Sequence, residues 1–156
     1  MSDKPPERGP DHDRLEVFLG EWRAEGRSYG GPNQRAEDPK SAAESWTSTH
    51  TGRWHTGHFF LVQDERAFTG GNPFDTLSIM GVDPQSERYF ARSFENHGFY
   101  RHCEVTTEGR TWTISGLLER ARVEFTADRR TQTITWEWKR NDAWLPLCDR
   151  VARRVD

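Results

Sequence analysis

Arg92 and Arg101 are the residues of this chain whose types and spacing lend themselves most readily to chemistry. They flank Asn96-His97-Gly98, a turn signal between two short aromatic-rich segments that read together as a hairpin. If Phe94 faces Phe99, then Arg92 faces Arg101 directly across the two strands, on one side of the sheet. Phe90, Phe94, Phe99, Cys103 and Val105 share that side, so by apolar count it is the inner one. Two inward guanidinium groups repel each other and lose hydration unless they share an anion, and arginine grips a carboxylate in bidentate fashion. The expected chemistry is an internal anchor for an acidic or polar-headed small molecule. The plainer reading pairs these arginines with Glu95, Glu104 or Asp64, or leaves them in water on the outer face.

The opposite side of the hairpin carries Tyr89, Ser93, Glu95, Tyr100, His102 and Glu104. A one-residue slip of register exchanges the two faces. Glu95, Tyr100 and His102 would then line the interior and suit acid–base catalysis. His55-x-x-His58 offers two imidazoles, but residues three apart on a strand point to opposite faces, and no Cys or carboxylate stands at a ligand spacing beside them. No metal is expected. Neither Cys103 nor Cys148 sits in a catalytic-thiol motif, and the chain has no Gly-x-Ser-x-Gly elbow and no phosphate-cradling glycine loop ahead of a helix.

The elements that must position these residues are short strands. Turn signals at Gly30-Gly31-Pro32, Gly70-Gly71-Asn72-Pro73, Asp83-Pro84, Asn96-His97-Gly98, Glu108-Gly109 and Asn141-Asp142 divide the chain. Between them lie segments 19–29, 41–50, 58–68, 74–82, 88–95, 99–106, 111–118, 120–126, 131–139 and 144–152. These are about ten strands with no room for crossover helices, so the fold is expected to be all-β, antiparallel and up-and-down. Alternation marks the inner faces best near the end of the chain. There Trp112 and Ile114, then Ala121, Val123 and Phe125, then Ile134, Trp136 and Trp138 fall in phase. Those tryptophans are either barrel filling or the aromatic walls of a ligand site. Residues 1–14 read as a flexible polar leader and residues 15–156 as one domain, with a short helical turn near Asp11–Phe18 capping one end.

Composition limits the partners. Aliphatic residues are scarce and mean hydropathy is −0.97, but seven Trp, nine Phe and three Tyr supply burial, each ring covering on the order of 150–250 Å². A net charge of −3 with no basic stripe excludes nucleic acid as an expected partner. No apolar run has the length of a membrane span or of a signal peptide, so no membrane contact is expected and the cytoplasm is the expected compartment. Cys103 and Cys148 are then expected as reduced thiols.

Leu19-Gly20-Glu21-Trp22, His58-Phe59-Phe60-Leu61, FDTLSIMGVD at 74–83 and Phe94-Glu95-Asn96-His97-Gly98 together resemble a bacterial domain family of unknown function with a lipocalin-like (calycin) β-barrel. The resemblance runs from Leu15 to Arg153. The chain departs from the family pattern at Thr56-Gly57-His58, where Gly-Gly-Arg is favoured, and at Glu95, where Asp is. The resemblance implies a ten-stranded barrel with an internal cavity. It also implies that an arginine from a late strand, Arg150 or Arg153, covers the Trp22 indole at the closed end. More distantly the barrel is similar to fatty-acid-binding-protein-like barrels and to haem-binding nitrobindins. The latter take their iron ligand from a late-strand histidine, whereas no histidine here lies beyond Cys103, so no cofactor is expected.

The expectation is therefore a non-enzymatic barrel that binds a small, largely apolar molecule. Arg92 and Arg101 would hold an acidic head, with Phe94, Phe99, Trp112, Trp136 and Trp138 as walls. One alternative is an isomerase or cyclase using Glu95, His102 and Tyr100. Another is an assembly module, a homodimer formed through Trp46, Trp54 and Trp144.

Overall fold

Alternating burial runs along almost every long segment of the chain, as expected of a sheet with one dry and one wet face. The structure is a computed structural model that describes residues 4–156. Its strands are β1 (Gly20–Ser28), β2 (Glu44–Trp54), β3 (Phe60–Thr69), β4 (Asn72–Pro73), β5 (Thr76–Val82) and β6 (Tyr89–Glu95), followed by β7 (Tyr100–Glu108), β8 (Thr111–Ser115), β9 (Glu119–Phe125), β10 (Thr131–Arg140) and β11 (Ala143–Arg154). All pairings are antiparallel. β1 joins β11 on one side and β2 on the other, and β2 joins β3, so the ten long strands close into a barrel with no free edge. β4 is a two-residue ribbon folded back on the end of β3.

All ten expected strands are present, with shifted ends. The largest shift is in β2, which runs on through Gly52 where the sequence reads a break. Gly52 is needed for close approach: a Cβ there would sit 2.0 Å from the Phe18 carbonyl oxygen. The segment that presses on it is the N-terminal cap. A short helix α1 (Pro10–Arg14) begins at a proline, whose missing N–H costs nothing at that position. It passes into a 3₁₀ turn (Leu15–Phe18) that buries Leu15, Val17 and Phe18. The short helical cap expected near Asp11–Phe18 is thus present. His12 is buried edge-on against Phe59, and Arg8 pairs with Asp13 and donates to the His58 carbonyl. Residues 1–3 of the polar leader lie outside the described residues.

The cap seals one end of the barrel with large side chains. Phe18 stands edge-on to Trp112 at 5.1 Å and to Phe125 at 5.2 Å, and Trp22, Leu61, Met80, Val105 and Val123 complete the cluster. The arginine over Trp22 is Arg154, 5.9 Å from the ring, and not Arg150 or Arg153. Register decides this, since β1 pairs with β11 so that Trp22 lies opposite Arg154. Arg153 falls on the outer face beside Glu25, and Arg150 points into the other half of the barrel, over Trp46 at 4.5 Å.

Candidate functional site in the open half of the barrel

Away from the cap, the same strands carry a different inner lining. Strand pairing puts Ser48 and His50 of β2, Glu65 and Ala67 of β3, Thr76 and Ser78 of β5, and Ser93 of β6 in phase with the buried Leu61 and Met80. Apart from His50 and Glu65 these are short side chains on a ten-stranded wall. Eight strands already enclose about the width that ordinary side chains can fill. Thr76, Ser78, Ala91 and Ser93 are only partly buried although they face inward, so solvent enters this half from the end opposite the cap. The far wall is aromatic, with Trp136 and Trp138 on β10.

Two ion pairs cross this interior. Arg150, its side chain 10% exposed, donates from Nη1 to both oxygens of Glu65 at 3.3 Å, and Glu65 also accepts from Ser48 at 3.3 Å. Room for Arg150 comes from Gly26 opposite it on β1, where a Cβ would lie 2.6 Å from the Arg150 Cα. Nearer the mouth, Arg101 pairs with Glu119 and stacks on Phe99 at 5.1 Å. Burial raises the Glu119 carboxyl above its usual range in spite of Arg101.

His50 lies flat against Trp22, 6.0 Å between ring centres, with Nδ1 4.0 Å from Glu65. Burial pushes its pKa down to about 4; Glu65 opposes that shift and Arg150 adds to it. Among the described residues five buried polar atoms at inward-facing positions lack a hydrogen-bond partner: His50 Nδ1, Thr69 Oγ1, Gln132 Nε2, Trp136 Nε1 and Arg150 Nε. Cys103 and Cys148 are both buried free thiols, and burial pushes Cys148 up to about 11, so neither is an activated nucleophile.

The expected arginine pair does not form. The β6–β7 register sets Phe94 against Tyr100, Ser93 against Arg101 and Arg92 against His102. On β7 the inner side is as expected, with Arg101, Cys103 and Val105 inward. On β6 the faces are exchanged, so Phe90, Arg92 and Phe94 lie outside and Tyr89, Ser93 and Glu95 inside. The cause is Glu95. Its buried carboxylate accepts the amides of His97 at 2.7 Å and Phe99 at 3.3 Å, and the His97 Nδ1 at 2.7 Å, which lengthens the turn by one residue. Burial alone would raise this carboxyl, but those hydrogen bonds and His97 outweigh it and hold it below its usual range. Glu95→Gln is expected to cost roughly 1–3 kcal/mol, read by urea unfolding at pH 7, because a charge-assisted acceptor of three N–H groups is lost.

The remaining site residues divide clearly. Arg92 leans over Phe90 on the outer surface, and Phe94 and Phe99 are exposed. Trp112 is barrel filling in the capped half. Trp136 and Trp138 do face inward, and Trp138 donates to Gln34 Oε1 at 2.7 Å from the β1–β2 loop. Of the catalytic alternative, His102 and Tyr100 stand exposed on the outer face, and Glu95 is committed to its turn. Of the assembly residues, Trp46 is inside the barrel, Trp54 lies under His58 and Arg8, and Trp144 under Arg120 at 4.2 Å. Of the exposed apolar groups, which include Phe68, Phe99, Leu117 and Leu118, Leu77, Phe94 and Tyr100 form one row on the outer wall across β5, β6 and β7. Two grooves along β1–β3 are lined by groups such as Arg23, Thr49 and Arg66; one of them also reaches Trp22 and His50, and Arg66 is tied to Asp64 and Asp75. Among the described residues no group of three or more His, Cys, Asp and Glu is placed to hold a metal ion.

Sequence reading missed Ser48, His50, Glu65, Glu119 and the interior role of Arg150. The one local signal was the alternation Trp46-x-Ser48-x-His50, which puts two polar residues in phase with an indole.

Fold and lining define a lipocalin-like antiparallel barrel, capped at one end and polar-lined at the other. The chain belongs to the family described as "Protein of unknown function (DUF1579)", whose model matches residues 7–140. No curated protein matches the chain. Among solved structures it is similar to Rv2717c from M. tuberculosis, with TM-score 0.69 and 13% identity over 96% of this chain and 100% of that one. It is also similar to the S-type phycobiliprotein lyase CPES from Guillardia theta, with TM-score 0.53 and 10% identity over 96% of this chain and 94% of that one. At these identities the likeness is one of fold. No helix among the described residues is long and apolar enough to cross a membrane.

Proposed function

We propose that the protein binds a small, largely apolar molecule in the open half of its barrel and performs no chemistry on it. One observation carries this reading: the capped half is closed by large sealed side chains, whereas in the open half the inward-facing Thr76, Ser78, Ala91 and Ser93 are small and only partly buried, across from a second apolar cluster of Trp46, Ala67, Cys148 and Trp136. A sequence selected only for packing would fill both halves, because an unfilled interior forfeits dispersion contacts. Trp46, Trp136 and Trp138 supply flat apolar surface to a ligand, and the fold it shares with a phycobiliprotein lyase is compatible with this use. The buried free thiols suit a reducing compartment, and the cytoplasm is proposed as the place of action.

The test is a fluorescence titration with an environment-sensitive probe, an undecyl chain tagged with dansyl at one end and carrying an amide, acid or amine at the other. The expected result is a blue-shifted, saturable signal from at least one of the three, weakened at least about tenfold by Ser93→Phe, which adds a ring to the inner wall of the open half and leaves the capped half untouched. No binding of any of them, or binding unaffected by Ser93→Phe in a folded variant, contradicts the reading.

A further inference from the structure

We propose that the ligand head read by this interior is uncharged and accepts hydrogen bonds, an amide, ester or ketone carbonyl, and that Arg150 and Trp136 are the groups that read it. This rests on the binding reading above and names the ligand class.

The charges of the interior cancel in pairs. Arg150 is matched by Glu65 and Arg101 by Glu119, each pair largely shielded from water. Glu95, close by at the mouth, adds a further carboxylate held by its own hairpin. A ligand carboxylate entering here would find no unmatched cation, and would lose its hydration without a partner. A ligand ammonium fares no better, since Glu65 and Glu119 are already engaged. An uncharged head leaves both pairs intact.

What Arg150 and Trp136 lack is acceptors. Arginine and the indole are donors only. Arg150 spends Nη1 on Glu65 and leaves Nε without an acceptor, and the Trp136 Nε1 has none either. The two side chains sit on the inner faces of neighbouring strands, Trp136 opposite Cys148 and Arg150 two residues further along β11. Native proteins rarely leave sealed donors unsatisfied, and two of them in one small region point to an acceptor supplied from outside the chain. Both nitrogens are covered in the ligand-free barrel, so the head reaches them only when a ring moves. Trp136 is only half-buried and is held by packing without a hydrogen bond, so its indole turns without breaking one.

The test compares the three dansyl–undecyl probes on the full chain. The wild type is expected to bind the amide at least about tenfold more tightly than the acid or the amine. Glu65→Gln frees the Arg150 charge, so the acid gains on the amide by at least about tenfold. Glu119→Gln, which frees Arg101, moves the ratio the same way and serves if Glu65→Gln does not fold. Wild-type binding of the acid or amine as tight as that of the amide overturns the inference while leaving the binding site standing. So does an acid-to-amide ratio that neither variant moves. Binding of none of the probes removes the site itself, and the inference with it.

Discussion

Trp22→Ala is expected to cost roughly 3–5 kcal/mol of stability, the range for deleting a buried aromatic side chain. For a chain of this length that lowers Tm by about 10 °C or more, read by thermal unfolding monitored in the far-ultraviolet. The size of the effect follows from where the indole stands. It is 1% exposed and meets Phe125 edge-on, His50 in a parallel stack, and Arg154 above. Its Nε1 donates to the Leu19 carbonyl at 3.3 Å, tying the ring to the bend where the 3₁₀ turn enters β1. The strands around it are braced by closure and cannot collapse into the space. Trp22→Phe keeps much of the plug and is expected to lose less than half as much. A variant Trp22→Ala as stable as wild type would mean that the cap does not close the barrel.

The second large effect is acid destabilisation through His50. In an unfolded chain a histidine takes up its proton near pH 6.5. In the barrel, burial against Trp22 pushes that down to about 4, the Glu65 carboxylate at 4.0 Å being too far and too engaged elsewhere to offset it. Between the two values the unfolded chain holds a proton that the native chain does not. Stability is therefore complete above about pH 6.5 and is lost as pH falls toward 4. The whole effect is about 3 kcal/mol, and about 2 kcal/mol of it is already gone at pH 5. Urea midpoints at pH 7 and pH 5 measure it before most carboxylates titrate. His50→Gln should flatten the dependence, and Trp22→Ala, by wetting the imidazole, should shrink it. Equal slopes for wild type and His50→Gln would assign the acid sensitivity to another group.

The architecture was legible because its causes are local. Turn residues such as Gly70-Gly71-Asn72-Pro73 and the two-residue rhythm of Ile134, Trp136 and Trp138 act within a few positions of one another. The candidate site was not legible, because its causes are distant. Arg150 and Glu65 are 85 residues apart and meet only because β11 pairs with β1, β1 with β2 and β2 with β3. Along any one of those strands, Glu65, His50 or Arg150 looks like an ordinary wet-side residue. Trp46 misleads in the opposite sense, since it reads as surface beside Glu44 and Ser45 yet lies under Arg150. The β6–β7 hairpin shows the same limit at short range. Periodicity gives each strand its alternation but says nothing of a carboxylate that caps two amides and adds one residue to the loop, and that one residue turns Arg92 outward.

Co-crystallisation with the amide probe tests the central proposal most directly. The account predicts electron density for the chain inside the open half, between the Ser78 and Ser93 wall and the Trp136 indole, with the carbonyl toward Arg150. Density confined to the outer row of Leu77, Phe94 and Tyr100, with the interior filled by the protein's own side chains, would contradict it.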